Sequence, residues 1–193
     1  MCGIIFAGSN TMSASDVRFF ESLLYHDIVR GEHSTGVFSG FNITASEPLK
    51  IKIRKAAVPA DVFLRTKNLW DEVKGEPYNP DITTVKNPKF LVGHNRYATV
   101  GEITDTNAHP FQHGNITLVH NGTLDNQALL PNHDKFKVDS ENIAYAIDKI
   151  GIEETIKKLH GKFTLVWFDA KDQTLNLLRN KDRPFHLMET SSG

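Results

Sequence analysis

The sequence predicts an α+β domain whose strands pair mainly antiparallel. Three observations carry that prediction. An early strand and helix are followed by more strands, then paired helices, then closing strands, without the regular strand–helix–strand alternation of a parallel sheet. One interior strand alternates apolar and basic residues, the mark of a sheet with one face in water. The chain has 193 residues, 39% hydrophobic and 23% charged, which suits a single domain able to bury its own core.

Residues 3–8 read GIIFAG, a short apolar run bounded by glycines, as expected of a buried strand. Ser13 or Ser15 can cap the helix that follows, on which Val17, Phe20, Leu24 and Ile28 recur at helical spacing. Residues 30–36, RGEHSTG, break that pattern and read as a loop. Residues 37–44 and 49–55 read as strands. In the second, Leu49, Ile51 and Ile53 alternate with Lys50, Lys52 and Arg54. Pro59 opens a helix whose apolar face is Val62, Phe63, Leu69, Trp70 and Val73. Residues 75–89 hold Pro77, Pro80 and Pro88 and read as an irregular connection. Residues 90–93 and 116–119 are short buried strands leading into HNRYATVG and HNG, so both polar motifs stand at strand ends. Ser140 can cap a helix carrying Ile143, Ala146, Ile147 and Ile150, stopped by Gly151. A second short helix carries Ile152, Ile156 and Leu159 and stops at Gly161. Residues 163–168 and 175–178 close the chain as strands, and the tail METSSG is expected to fray. No internal repeat or low-complexity segment interrupts this order.

The formal net charge is −1, which offers no basic face to a nucleic acid or a membrane. No apolar run approaches the roughly 20 residues of a membrane helix. The N-terminus lacks the basic stretch of a secretory signal. A single cysteine excludes an internal disulfide and points to a reducing cytoplasm. Nine histidines invite a metal, but none stands in a recognised ligand spacing, and Pro110 keeps His109 and His113 from being a helical pair. No metal and no cofactor are expected. His94 and His120 read as supporting hydrogen-bond partners, and KIKIRK as a solvated strand face.

A lone cysteine is ordinarily a small buried hydrophobe, yet this one is Cys2. Removal of Met1 before so small a side chain leaves Cys2 with a free α-amine. Such an amine titrates near about 7.7–8.0, so part of it is unprotonated near neutrality and can take the thiol proton. Attack on a side-chain amide then yields a thioester, the amine returns a proton to departing ammonia, and water releases the acid. The strand that follows would tie the terminus down.

In order, the motifs MCGI, RGEHSTG, HNRYATVG, NAHPF, HNGTLDN and DSEN resemble those of class II glutamine amidotransferases. The closing segment from GKFTLVWF onward is similar as well, so nearly the whole chain is covered and residues 2–193 are expected to form one glutaminase domain. The resemblance implies the N-terminal-nucleophile hydrolase fold, a four-layer αββα sandwich with two antiparallel sheets. It implies Cys2 as nucleophile, with Asn121 and Gly122 as the oxyanion hole, a donor pair suited to the charge that develops on an attacked amide oxygen. Asn-Gly is also the strongest short hairpin signal, and the two roles are compatible. It implies that Arg96 holds the α-carboxylate of L-glutamine, a task for which a guanidinium fork is suited. Asp139 would bind the α-ammonium, Thr99 would add a hydrogen bond to the ligand, and Tyr97 would be a further substrate-binding residue. Tyr97 and Val100 depart from the sugar-phosphate branch toward the phosphoribosyl branch. His109 leans to the sugar branch, and His33 stands where that branch has Asp.

Related enzymes couple this domain to a synthase that consumes ammonia, and within these 193 residues the stretch after Phe185 is too short to be expected to form one. A separate synthase subunit, an independent amidohydrolase and a piece of a longer chain are all compatible with that. Besides glutamine hydrolysis, the residue set admits hydrolysis of another small or γ-glutamyl amide, or glutamine sensing without turnover. The sequence leaves the oligomeric state and the ammonia acceptor open.

Overall fold

A computed structural model of the protein describes residues 2–10, 12–42, 46–75, 88–99 and 101–189. In chain order its elements are β1 (Gly3–Gly8), α1 (Ala14–His26), β2 (Ser34–Phe41), β3 (Lys50–Ala56), α2 (Ala60–Arg65), α3 (Lys67–Lys74), β4 (Phe90–Arg96), β5 (Phe111–His113), β6 (Ile116–Leu124), α4 (Asp139–Ile156), β7 (Gly161–Asp169) and β8 (Thr174–Arg179). Short 3-10 turns occupy Asp27–Arg30, Gln127–Leu129 and His133–Lys135. One sheet has the order β1-β4-β2-β3 and the other β5-β6-β7-β8, with every neighbouring pair antiparallel.

Strand periodicity then dictates the layers, because successive side chains point to opposite faces. In β4, Leu91 packs with Phe20, Leu24, Phe63 and Trp70 of the helices α1 to α3. Its neighbours Phe90 and Val92 instead meet Phe38 of β2 and Val119, Val166 and Phe168 of the second sheet. The opposite face of that second sheet, carrying Leu118, Phe163 and Leu165, packs on Ile143, Ala146 and Ile147 of α4. Three apolar interfaces thus separate helices, sheet, sheet and helix, the four-layer sandwich of the N-terminal-nucleophile hydrolases. Among the described residues no helix is long and apolar enough to cross a membrane.

Several local expectations hold. Ser13 caps α1 in a reciprocal capping box, its Oγ accepting from the Asp16 N–H at 3.2 Å while its own N–H donates to the Asp16 carboxylate at 2.7 Å. Lys50 and Lys52 of β3 are exposed while Ile51 and Ile53 pack inward. Gly151 breaks α4 with φ 78 and ψ 164, a left-handed conformation that glycine adopts without Cβ strain.

Others need correction. Residues 30–36 are not all loop, because β2 begins at Ser34, where burial between its neighbours supplies the ladder that local sequence does not signal. The single helix expected after Pro59 is two, parted at Thr66, whose φ −91 and ψ 106 are extended. Its hydroxyl donates back to the Val62 carbonyl at 2.7 Å, and Val62 is turned outward at 38% exposure. Ser140 does not cap α4: Val138 stands at the cap, and the Asp139 carboxylate takes the free Ser140 N–H at 2.8 Å. Strands β4 and β6 run through HNR and HNG rather than ending before them. The end of the expected strand at residues 43–44, the prolines Pro77 and Pro80, and residues 190–193 of the tail lie outside the described residues.

Candidate functional site

The residues expected to act gather at one end of the space between the sheets. Cys2 precedes Gly3, which pairs with Asn95, so it falls beside Arg96. It has the strand parity of Ile4 and Phe6, which face the second sheet. Arg96 shares the parity of Phe90 and Val92 and is 3% exposed. Across the gap, Asn121 shares the parity of Val119 and is likewise buried. The two sheets are pinned just behind these groups by His94 Nε2, 3.0 Å from the carbonyl oxygen of His120.

The Cys2 sulfur lies against a peptide unit rather than an imidazole. Tyr97 N–H donates to Sγ at 3.4 Å, and the thiol reaches Tyr97 O at 3.5 Å. The Cys2 carbonyl accepts from Arg30 Nε at 3.1 Å, so the terminus is held from both sides. Burial pushes the thiol up; the Tyr97 contact, the chain's terminal amine and the Arg96 charge pull it down, while Asp139 adds to the rise. Arg96 is itself pushed down by burial and held up by Cys2 and Asp139. These mutual effects place Cys2, Arg96 and Asp139 within one electrostatic neighbourhood.

Arg96 and Asp139 are each braced. Arg96 Nη1 donates to the Glu102 carbonyl at 3.2 Å, and Asn107 Nδ2 donates to the same oxygen at 3.1 Å. The segment bearing them is fastened by Lys55, whose ammonium donates to the carbonyls of Thr106, Ala108 and Pro110 at 3.0, 2.8 and 3.1 Å. Asp139 Oδ2 accepts the Leu124 N–H at 3.0 Å, and Oδ1 accepts from Ser140 N and Oγ at 2.8 and 3.2 Å. His120 Nδ1 lies 2.9 Å from Ser140 Oγ.

The Asn121–Gly122 pair is not a hairpin turn; it lies within β6, opposite Thr164 and Phe163 of β7. Glycine is needed there because a Cβ would stand 1.9 Å from the Lys162 carbonyl oxygen and 2.6 Å from His120 Nε2. The strand also aims its backbone. Phe163 directs both of its backbone polar groups to Asn180, its carbonyl accepting from Asn180 N at 3.1 Å and its N–H donating to Asn180 Oδ1 at 3.4 Å. In an antiparallel ladder the opposed residue, Gly122, then turns its own N–H away from β7. On that side β5 reaches only from Ile116 to Leu118, so among the described residues no strand covers the Gly122 N–H.

Tyr97, 47% exposed as a residue, contributes its backbone to Cys2 while its ring stacks on His33. Thr99 is exposed on the same segment, and Val100 and Met1 lie outside the described residues. Sequence reasoning gave His33 only as a departure from the sugar-phosphate branch, gave Arg30 no role and passed over Asp27. The first two stand in RGEHSTG, and that motif was the available signal. Asp27 had none: burial raises its carboxyl to about 6 against the opposing effects of Asn95 and Arg30. His94, His109 and His120 form a buried group behind the site. Burial holds His94 down to about 3 and His109 well below the usual histidine range. Among the described residues no group of His, Cys, Asp and Glu is arranged to hold a metal ion.

A cavity of about 640 Å³ is lined by Ile4 and Phe6 of β1, Asp27, Arg30, Asn121 and Thr164, together with residues 184–189. Cys2, Arg96 and Asp139 do not line it, so it adjoins the site rather than forming it.

Residues 94–193 match a glutamine amidotransferase domain. Similar proteins include the glutamine–fructose-6-phosphate aminotransferase (isomerizing) of Listeria innocua, 29% identical over 202 residues, covering 94% of this chain and 29% of that protein. The protein of the same description from Sulfurisphaera tokodaii is 32% identical over 202 residues, covering 91% of this chain and 31% of its own. That of Gluconobacter oxydans is 31% identical over 181 residues, covering 86% and 26%. The chain thus spans about three tenths of the length of the curated relatives it matches.

Proposed function

Because this chain belongs to the class II glutamine amidotransferase family, we propose that it hydrolyses the side-chain amide of L-glutamine with Cys2 as nucleophile, and that residues 2–193 form the single domain that does so. The observation that supports the proposal is the mutual electrostatic influence of Cys2, Arg96 and Asp139, with Asn121 and Gly122 on β6 of the opposite sheet.

With Met1 removed, the Cys2 α-amine is the base beside its own thiol. It takes the thiol proton, and sulfur attacks the amide carbon of glutamine. Charge moves onto the amide oxygen, where the Asn121 side-chain NH₂ and the uncovered Gly122 N–H donate to it; such preorganised donors are worth more where water is excluded. The carbon–nitrogen bond breaks, the amine returns its proton to the leaving group, and ammonia departs. Water, deprotonated by the same amine, then cleaves the thioester to glutamate. Arg96 binds the α-carboxylate and Asp139 the α-ammonium, which restricts the substrate to a free amino acid. Asp139 already accepts from Leu124 and Ser140, so its orientation is set before the ligand arrives and little ordering entropy is lost on binding.

Ammonia passes to an acceptor carried by a synthase, linked or separate. The relatives are named glutamine–fructose-6-phosphate aminotransferases, and a sugar phosphate is the first acceptor class to try here. The test is ammonia release from glutamine by the wild-type chain and by Cys2→Ala, with a glutamine-like electrophile as label. Loss of turnover in Cys2→Ala and labelling of Cys2 alone are expected. Undiminished turnover in Cys2→Ala would reject the proposal.

A further inference from the structure

We propose that His33 is a positioning residue that clasps the Arg96–Ala98 backbone against the Cys2 sulfur, and that it can do so only as the neutral imidazole. The clasp has two ends. The His33 N–H donates to the Arg96 carbonyl at 3.1 Å, and the Ala98 N–H donates to His33 Nδ1 at 3.0 Å. Between them sits Tyr97, whose N–H and carbonyl are the groups in contact with Cys2 Sγ. The His33 ring stacks on the Tyr97 ring, centroids 4.7 Å apart and planes inclined by 27°. Gly31 closes the approach from behind: a Cβ there would stand 2.4 Å from Arg96 C and 2.6 Å from Tyr97 N. The two Tyr97 groups that face the sulfur therefore lie between the two ends of the clasp, and a displacement of the segment moves them relative to Cys2.

An Nδ1 that accepts a hydrogen bond must carry a free lone pair, which fixes the ring proton on Nε2. A second proton would set a donor against the Ala98 N–H and open one end of the clasp. Imidazole is the side chain whose charge ordinarily changes near neutrality. Burial holds the neighbouring His94 at about 3 and His109 well below the usual histidine range. The other ionisable groups on the elements that meet here are Asp27 and Arg30 in the turn before His33, Glu32 beside it, Arg96 at the end of β4, the Tyr97 phenol and the Cys2 thiol. Acceptor and stacking surface are combined only in histidine: asparagine offers the acceptor, phenylalanine the surface.

The catalytic half of this inference rests on the glutaminase reading of Cys2, and the structural half does not, so the test has two readouts. The first is the Ala98 amide resonance followed against pH in wild type and in His33→Asn. It is expected to titrate together with the His33 ring in wild type and to stay flat in His33→Asn. The second is kcat/KM for glutamine against pH in wild type, His33→Asn and His33→Phe. The Cys2 amine alone gives an acid limb of one proton; with His33 the limb steepens toward two, and His33→Asn returns it to one. His33→Phe, lacking the acceptor, is expected to lose about tenfold above the acid limb, the worth of one hydrogen bond left unmade, and progressively less at lower pH, where protonation removes that bond from wild type as well. An Ala98 amide indifferent to His33 protonation, or a His33→Asn limb as steep as wild type, would overturn the proposal. A chain that shows the Ala98 titration yet hydrolyses no glutamine would support the clasp and reject the glutaminase reading instead.

Discussion

Replacing Asp27 by Asn is expected to stabilise the protein at pH 7.5 and to do much less at pH 4.5. Asp27 sits beneath Gly3, where a Cβ would stand 1.5 Å from its Oδ2, and its side chain is 12% exposed. Burial raises its carboxyl from 3.8 to about 6. A raised carboxyl favours the folded state while it is protonated, below about 3.8, and that contribution is lost as pH rises through about 6. Two pH units correspond to roughly 3 kcal/mol. Partial exposure of the side chain and the Arg30 charge screen the carboxylate, which reduces the expected gain at pH 7.5 to about 1 kcal/mol. For a domain of this size that is roughly 2–4 °C in Tm. Asparagine keeps an oxygen for the Asn95 amide, now at 3.3 Å from Asp27 Oδ2, so the geometry is preserved. Thermal unfolding of both proteins across that pH range measures the difference. A variant less stable than wild type at pH 7.5, or one offset equally at both pH values, would refute the reasoning.

Asn121→Ala is expected to lower kcat for glutamine hydrolysis by about 100–1,000-fold, the loss of one oxyanion donor, with the circular dichroism of the fold unchanged; a loss under tenfold would remove Asn121 from that role. Arg96→Lys is expected to raise KM by about tenfold or more with a smaller change in kcat, because an ammonium cannot reproduce the planar fork. Steady-state kinetics separates the two parameters, and an unchanged KM would contradict carboxylate binding by Arg96.

What the sequence made legible, and what it hid, follows from the range of the interactions involved. GIIFAG and the alternating KIKIRK stretch announce β1 and β3 because their patterns are local. The break at Gly151 is equally local. The Asn121–Gly122 pair misleads as a turn because its glycine answers to the Lys162 carbonyl on another strand, not to a positive φ. Ser140 looks like a cap, yet its hydroxyl is drawn to His120 and Asp139 by the packing of α4 on the second sheet. Thr66 divides a continuous helical pattern, and nothing local marks the place. The motifs supplied Cys2, Arg96 and Asp139, whose shared electrostatic neighbourhood emerges only when β1, β4 and α4 meet. His33 lay in a motif, but its partners Arg96, Tyr97 and Ala98 are some 60 residues away along the chain and become neighbours only through the pairing of β2 with β4.

The dependence of catalysis on a liberated Cys2 amine is tested most directly by preparing the same chain with its initiator methionine removed and with it retained, each verified by intact mass, and comparing ammonia release from glutamine. The processed form is expected to turn over and the capped form to be inert, since a peptide nitrogen has no lone pair to offer the thiol. Equal rates from the two would contradict the mechanism at its root.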